Sequence, residues 1–305
     1  MDSDASSGTG SRPPLSVVVA STRPWPELRA CLDALLDQAR TVGAEVIVAD
    51  RDGAALPGPP AFPEVVRVRE DGASVFRLRA LGLLRARGEI VAMTEDHCRV
   101  RSDWCAAVLA AHRDHPTAAV IGGAVENGAA SRLIDWANFL VANGPFLPPV
   151  RTGRARRVCG QANLSFKRAA LPAGAPTLGV MEMLYTRALS ARGAELVVES
   201  RLVVEHDQSL GLAGTCAIHF HNGRSIAGFR SRTLGAAGRL ARLAGCTVLP
   251  AVLFARTLAT IARKPAHRTA GLASLPFVVL LVFCHAAGEA IGYVAGPGRS
   301  PQRLN

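Results

Sequence analysis

The stretch Gly88–Cys98, GEIVAMTEDHC, decides the fold, because a short apolar run leads directly into three polar side chains. Glu95, Asp96 and His97 follow what we predict to be a buried strand, at its carboxyl end. Open α/β sheets bind their ligands at this end of the strands. Carboxylate oxygens and an imidazole nitrogen suit a divalent cation, Mn²⁺ or Mg²⁺, and a cation suits a phosphorylated ligand. The pattern therefore predicts a metal site, with a solvated acidic turn as the alternative.

Two more apolar runs precede this stretch and have the length of strands. They are Leu15–Ala20, LSVVVA, and Glu45–Asp50, EVIVAD. Between them, residues 27–40 repeat apolar side chains at the spacing of one helical stripe. Strands that are apolar throughout are typical of a parallel sheet with helices on both faces. The sequence therefore predicts an α/β fold.

The rest of the chain continues this alternation of strands and helices. The patterns predict a Pro/Gly loop at 53–63, a strand at 65–68, a helix at 74–87 closed by Gly88, a helix from Ser102 to Pro116, a strand at 118–125, a strand or turn at 160–168, a helix at 182–192, and strand–turn–strand at 196–206. Residues 126–157 have weak periodicity, which indicates a mobile insertion with a short helix near 132–141.

Length and composition set the class of protein. A chain of 305 residues with 49% apolar residues can bury a real core. Its seven cysteines are odd in number and contain no CxxC pair, which indicates a reducing compartment. Residues 1–14 are polar and lack an apolar stretch, so we expect a disordered N-terminus without a secretory signal.

The positive charge is concentrated at the C-terminal end. Up to Gly223 there are 24 Lys and Arg against 23 Asp and Glu, whereas the remaining residues contain 11 and one, Glu289. This end therefore supplies ten of the eleven net positive charges. A basic, apolar segment suits an anionic membrane surface better than nucleic acid, for which interleaved stacking aromatics are typical. We expect no nucleic-acid partner.

Two apolar segments lie within this basic region, at residues 243–262 and 271–296. Each is shorter than the ~20 apolar residues of a clean span or is interrupted by charge. We predict an in-plane or re-entrant first segment, and a second that either spans the membrane or lies on it. A soluble helical subdomain is the alternative. The predicted organisation is one domain at 15–230 and a membrane-associated helical region at 231–305.

Five segments in this order resemble the family 2 glycosyltransferases, and specifically their membrane-associated bacterial type. The segments are the first strand with Thr22-Arg23, the second strand ending in Asp50, FRLRALGLLRARGEIVAMTEDHC, CGQANLSFKR and GVMEMLYTRALSARG. The resemblance covers about residues 15–229 and implies the GT-A fold. It also implies transfer of a sugar from a nucleotide-sugar donor to a glycan or lipid-linked acceptor of the cell envelope, at the cytoplasmic face of the membrane.

The resemblance implies the nucleotide contacts. Asp50 matches the acid that contacts the base or ribose, and Thr22 and Arg23 belong to the first nucleotide-binding loop. Arg79 matches an arginine of the helix before the metal strand. The asparagine that usually follows this arginine is Ala80 in this chain.

The same resemblance implies the metal ligands. Glu95, Asp96 and His97 match the Asp-x-Asp motif of the family, with Glu95 also contacting the nucleotide. His97 as a ligand would favour Mn²⁺ over Mg²⁺, and Asp96 replaces it if the register shifts by one residue. His206 matches a histidine that some relatives place near the metal.

The catalytic base implied by the resemblance is Glu182. It matches the second acid of a Glu-Asp pair, with Met181 in place of the first. A carboxylate can deprotonate an acceptor hydroxyl if burial raises its pKa. The implied mechanism is direct displacement with inversion at the anomeric carbon.

Three other interpretations stay open from the sequence. One is a zinc site made by Cys98, Cys105, His112 and His115, although their spacing is wider than in most zinc sites. The second is a nucleotidyltransferase, and the third is a non-catalytic membrane-associated module with a GT-A-like fold.

Overall fold

A computed structural model describes residues 12–23, 27–51, 62, 64–174 and 179–304. The predicted disordered N-terminus and Pro/Gly loop lie almost entirely outside these residues. The described residues form a nine-stranded sheet. Its strands are β1 (Leu15–Ser21), β2 (Glu45–Asp50), β3 (Val65–Arg69), β4 (Ile90–Glu95), β5 (Cys98–Val100), β6 (Ala118–Asn127), β7 (Gly153–Arg154), β8 (Leu164–Lys167) and β9 (Glu195–His206).

The sheet is parallel in its first half and mixed in its second. The strand order is β3-β2-β1-β4-β8-β6-β9-β5, and β7 pairs with β9. Strands β1 to β4 are parallel, β8 runs antiparallel between β4 and β6, and β6 is parallel to β9. Because β1 and β4 are neighbours, Ala20 lies opposite Glu95. The predicted strand end therefore lies centrally in the sheet.

Helices cover both faces of this sheet, and others follow it. They are α1 (Glu27–Thr41), α2 (Val75–Arg85), α3 (Trp104–Asp114), α4 (Leu133–Ala142), α5 (Glu182–Ala191), α6 (Leu212–Ser231), α7 (Ala236–Gly245), α8 (Leu249–Ala262), α9 (Arg268–Ala273) and α10 (Leu275–Ala295). On β1, Val17 and Val19 share a core cluster with Leu32 of α1, whereas Val18 packs with Leu83 of α2. Alternate residues thus face opposite layers, and the predicted α/β fold class is confirmed.

Two predicted helix ends are wrong. Helix α2 ends at Arg85 and is capped by Ala86 in an extended conformation, so Gly88 does not close it. Glycine is required at position 88 by close approach, because a Cβ there would lie 2.5 Å from the backbone nitrogen of Ser16. Helix α3 begins at Trp104 after Asp103, one residue later than a Ser102 cap predicts.

Residues 126–157 are packed into the fold, so the expectation of a mobile insertion is wrong. The short helix predicted there is present as α4, and its Trp136, Phe139 and Leu140 are buried in the main core cluster. Arg132 ties the start of α4 through a 2.7 Å ion pair to the buried Asp135. The segment is therefore an ordered part of the fold that contributes to its core.

Strand β9 extends over 12 residues, and it carries a bulge where the sequence predicts the turn of a strand–turn–strand unit. Ser200 and Arg201 are exposed at its middle, between buried apolar residues on either side. At this polar interruption the register with β6 shifts, from Val198 opposite Gly122 to Val203 opposite Ala124. The strand ends at His206, beside β5, where Cys98 is its partner.

Helices α6 and α10 lie against each other along a line of glycines, which we call the glycine seam (Gly223, Gly288 and Gly292). A Cβ at Gly288 would lie 2.0 Å from the carbonyl oxygen of Phe220, and one at Gly223 would lie 2.2 Å from that of His285. Only hydrogen-sized side chains permit such backbone contact. The predicted domain boundary at residue 230 falls inside α6 and stays a prediction.

One helix in the described part of the chain, α10, is long and apolar enough to cross a membrane. Half of its apolar window, 50%, is buried inside the protein. Helices α7 and α8 satisfy the same test together, but the chain bends by 58° between them. The buried Val278, Leu281 and Val282 of α10 pack against Ile134 and Ala137 of α4.

Candidate active site

The carboxyl ends of β4 and β9 bring one carboxylate and two imidazoles together. Glu95 ends β4, His97 lies in the following turn, and His206 ends β9. His97 Nε2 lies 3.1 Å from His206 Nε2. Glu95 Oε2 lies 3.5 Å from His206 Nε2 and 3.9 Å from His97 Nε2. The three ligand atoms thus form a small triangle.

This triangle fits a divalent cation. Ligands at bond lengths near 2.1 Å around one ion lie roughly 3 to 3.5 Å apart, close to the observed edges. Cys98 belongs to the same group of ligand-capable residues, whose ligand atoms lie within 4.8 Å of one another. Burial raises the pKa of the Cys98 thiol well above its usual range, and the charge of Glu95 adds to this. Glu95, His97 and His206 are therefore the better ligand set.

Asp96, predicted as a possible ligand, has both carboxylate oxygens engaged elsewhere. Its Oδ2 accepts hydrogen bonds from the backbone nitrogens of Thr22 (2.8 Å) and Arg23 (3.0 Å). Its Oδ1 lies 2.8 Å from His97 Nδ1. A carboxylate in this position orients the imidazole, so that the other nitrogen faces the metal site. The structure thus places Asp96 behind the ligand group.

Arg79 connects the ligand group to Glu182. It is 3% exposed, and it donates to Glu182 Oε2 at 2.8 Å and to Glu95 Oε1 at 3.5 Å. Glu182 begins α5 and is buried. One buried cation therefore lies between two buried carboxylates that come from separate parts of the sequence.

The environment separates the two carboxylates by their pKa. For Glu95, burial acts to raise the pKa, but the hydrogen bond from His206 and the charges of His97 and Arg79 lower it well below its usual range. For Glu182, burial raises the pKa, and the charge of Arg79 offsets this only in part. Glu95 is therefore suited to remain ionised, and Glu182 to exchange a proton.

Two residues of the CGQANLSFKR segment complete the site, and sequence reasoning did not assign them a role. Gln161 Nε2 donates to Glu95 Oε1 at 2.5 Å. Gly160 faces Glu182, where a Cβ would lie 3.3 Å from Oε1. The resemblance that included this segment was the available signal, but residue type alone gave no reason to choose either.

A cavity of about 240 Å³ opens over these groups. The predicted site residues that line it are Thr22, Arg79, Glu95, Asp96, His97, Glu182 and His206. Arg23 and Asp50 are not among its lining residues. Asp50 is buried at the end of β2, with Ser21 as its partner on β1. Arg23 reaches the site through its backbone bond to Asp96.

The structure does not assemble the alternative zinc site. His112 Nε2 lies 2.9 Å from Ser165 Oγ, and burial lowers the pKa of His112 to about 4. Within the described ranges, Cys98 is grouped with Glu95, His97 and His206, and not with Cys105 or His115. Its sulfur therefore belongs beside the site already described.

Comparison with solved structures supports the fold. The mannosyltransferase PcManGT from Pyrobaculum calidifontis, in complex with GDP-Man and Mn²⁺, is similar with a TM-score of 0.58 and 19% identity, over 93% of this chain and 88% of that chain. GalNAc-T7 with UDP, GalNAc and Mn²⁺ is similar with a TM-score of 0.48 and 15% identity, over 65% and 44%. No protein-family model and no curated protein sequence matches the chain.

The fold is therefore a GT-A-like α/β fold, with a C-terminal apolar helix added to it. At this level of identity the comparison establishes the arrangement of the chain. The chemistry must be argued from the residues that surround the cavity.

Proposed function

We propose that the protein is an inverting glycosyltransferase of the family 2 type, which transfers a hexose from a nucleoside-diphosphate sugar. The observation that carries the proposal is that Arg79 joins Glu182 to a metal-ligand triangle in one cavity of a GT-A-like fold. The complex of PcManGT with GDP-Man and Mn²⁺ supports the class of donor.

The ligand triangle would hold a divalent cation, Mn²⁺ or Mg²⁺. When bound, such an ion neutralises the charge that develops on a departing diphosphate. Asp96 keeps the ring of His97 in place and also fixes the backbone of Thr22 and Arg23 beside the triangle. Gln161 holds the second oxygen of Glu95, which leaves Oε2 directed toward the histidines.

Glu182 would accept the proton of the acceptor hydroxyl. Its Oε2 is held by Arg79, whereas its Oε1 lies next to Gly160, which has no side chain to cover it. Because burial raises the pKa of Glu182, its carboxylate is a stronger base than an exposed glutamate. Held by one oxygen and open at the other, the group is positioned for proton transfer.

The donor nucleotide would lie across the carboxyl ends of β1, β2 and β4. Thr22 lines the cavity, and Arg23 Nη2 is buried without a hydrogen-bond partner among the described residues. An unpartnered guanidinium nitrogen beside the site suits a phosphate oxygen. Asp50, at the end of β2, would contact the ribose or base.

We also propose that the C-terminal region rests on the cytoplasmic face of the membrane, where an envelope or lipid-linked acceptor would reach the site. Exposed hydrophobic side chains on α7, α8 and α10 support this, including Leu240 (68%), Val252 (45%) and Phe283 (59%). We propose an in-plane position over a span, because half of the apolar window of α10 is buried and the helix packs against α4 and α6.

The test is release of nucleoside diphosphate from a panel of sugar nucleotides by the purified chain with Mn²⁺. We expect slow hydrolysis of one donor without acceptor, abolished by EDTA. Glu95→Gln should lower the rate at least ~10²-fold, because an essential preorganised charge is lost. His206→Ala should do the same, whereas Glu126→Gln and His115→Ala, remote from the cavity, should retain the rate. Absence of both turnover and Mn²⁺-dependent nucleotide binding would exclude the proposal.

A further inference from the structure

Three arginines that the proposed chemistry does not use line the same cavity. They are Arg156 and Arg157, in the loop after β7, and Arg187, on α5. Among the residues that the structure describes, none of the three forms a hydrogen bond or an ion pair. Arg154, which lies on β7 two residues before Arg156, is paired with Glu195 at 2.7 Å. The guanidinium groups of the three cavity arginines are therefore available to a ligand.

Positive charges from other segments converge on these arginines. Arg187 is exposed overall, but partial burial lowers its pKa, and the charges of Arg157, Arg230 and Arg256 lower it further. Burial and the charge of Arg256, on α8, likewise lower the pKa of Arg157. The nearby Glu289 is engaged by Arg230 at 3.4 Å.

Like charges that repel one another at the mouth of a cavity are stabilised by an anion with more than one charge. A phosphate group carries about −1.5 to −2 at neutral pH, and guanidinium groups bind its oxygens in pairs. Arg256 belongs to the C-terminal helices, so this surface combines both halves of the molecule. The cluster therefore has the charge and the composition of a phosphate site.

The cluster lies next to Glu182 but is separate from it. Arg187 follows Glu182 by five residues on α5, which is ~7.5 Å along a helix axis. Arg157 precedes Gly160, which faces Glu182 Oε1, by three residues. An anion held by the arginines would therefore stand beside the reacting hydroxyl. It would not replace that hydroxyl.

We propose that Arg156, Arg157 and Arg187 bind a phosphate group of the acceptor, which positions the acceptor hydroxyl at Glu182. This inference rests on the proposed transferase function and names the chemical class of its second substrate. A lipid-linked phosphate and a soluble sugar phosphate present the same group to the cluster.

The experiment measures calorimetric binding of farnesyl phosphate and of inorganic phosphate to the full chain in EDTA, so that metal-dependent donor binding does not contribute. We expect Arg157→Gln and Arg187→Gln each to weaken binding of the preferred probe about tenfold, as for loss of one charge-assisted hydrogen bond. Arg113→Gln, an exposed arginine on α3, is the matched control and should bind as the wild type does.

The two probes distinguish the sources of the phosphate. Tighter binding of farnesyl phosphate supports a lipid-linked acceptor, and equal binding supports a soluble phosphorylated one. The proposal is overturned if the wild type binds neither probe, or if the double variant of Arg157 and Arg187 binds them unchanged.

A second measurement separates this proposal from the donor site. Mn²⁺-dependent binding of nucleoside diphosphates should be lost in Glu95→Gln and retained in Arg157→Gln. Phosphate binding in EDTA should be retained in Glu95→Gln and weakened in Arg157→Gln. An equal loss of nucleotide binding in the arginine variants would assign the cluster to the donor and overturn the acceptor site. Failure of nucleotide binding in the wild type would instead contradict the transferase function.

Discussion

The sheet region and the C-terminal helices differ in which side chains they bury and which they expose. In the sheet region, buried charges are matched: Arg79 lies between Glu95 and Glu182, and Asp96 holds His97. In the C-terminal helices, apolar side chains face outward. Ten of the thirteen large hydrophobic residues exposed in the described part of the chain lie beyond residue 231. The sheet region thus buries paired charges, whereas the C-terminal helices expose apolar side chains.

The largest test of this contrast is Arg79→Gln. Removing the cation leaves Glu95 and Glu182 buried and near each other without their shared partner. Breaking a buried charge network by deleting one partner costs ~3–5 kcal/mol, so urea denaturation should show a loss of that size in the free energy of unfolding. The control is Arg77→Gln, two residues away, whose pair with Glu70 is partly exposed and is worth at most ~1 kcal/mol. Similar losses in both variants would contradict the contrast.

The second test addresses the glycine seam, where the C-terminal helices are as tightly fitted as a core. In Gly288→Ala the new methyl group would meet the carbonyl oxygen of Phe220, and overpacking of this kind costs ~1–3 kcal/mol. Gly245→Ala, at the end of α7, meets no atom within 4 Å and should not destabilise. Urea midpoints measure both. A neutral Gly288→Ala would show that the two helices can separate freely.

The third test addresses the outward apolar face. Phe283→Ser removes an apolar side chain that is 59% exposed, so folding should be retained. If this face enters a lipid surface, binding to anionic phospholipid vesicles should fall about tenfold in co-sedimentation, given the transfer free energy of one such side chain. Leu84→Ser, on α2 of the sheet region and 60% exposed, is the matched control. Equal vesicle binding by both variants would remove the distinction between the two surfaces.

The smallest expected effect is a shift in the pH dependence of the reaction rate, set by Glu182 in the sheet region. Because burial raises the pKa of Glu182 above 4.5, its base form is lost at a higher pH than for an ordinary glutamate. As the pH is lowered, the rate should therefore begin to fall at a higher pH than the ordinary glutamate pKa would give. Protonation of a metal ligand such as His206 would instead give a fall in rate that moves to lower pH when the Mn²⁺ concentration is increased. If the fall in rate does not move with the Mn²⁺ concentration, the titrating group is Glu182.

The sheet region was accessible to sequence reasoning, because its strands are continuous apolar runs. β1 and β2 were predicted within a residue of their observed ends, and β4 ends at Glu95, the first of the three polar residues expected at its carboxyl end. The turn predicted within β9 is a bulge, at which Ser200 and Arg201 are exposed. The strand resumes beyond the bulge through its pairing with β6, and such long-range pairing leaves no local signal in the sequence.

The sequence allowed the residues of the candidate site to be predicted, but it did not allow their side-chain contacts to be predicted. Glu95, His97, Glu182 and His206 do line one cavity. The bridging position of Arg79 and the orienting position of Asp96 depend on where side chains point, which residue order does not determine. The arginine cluster was missed for a related reason: Arg156 and Arg157 are adjacent in the chain, but Arg187 comes from a separate segment, and the sequence does not show that the three line one cavity.

The glycine seam also bears on how the protein could be shortened for study. A fragment ending with α6 would remove α10 and leave Gly223 and its neighbours as a bare, flat strip of backbone. The same cut would discard Arg256, whose charge acts on Arg157 and Arg187. A truncated version made for better solubility would therefore be expected to aggregate along α6, so the hydrophobic helices are better masked by detergent than deleted.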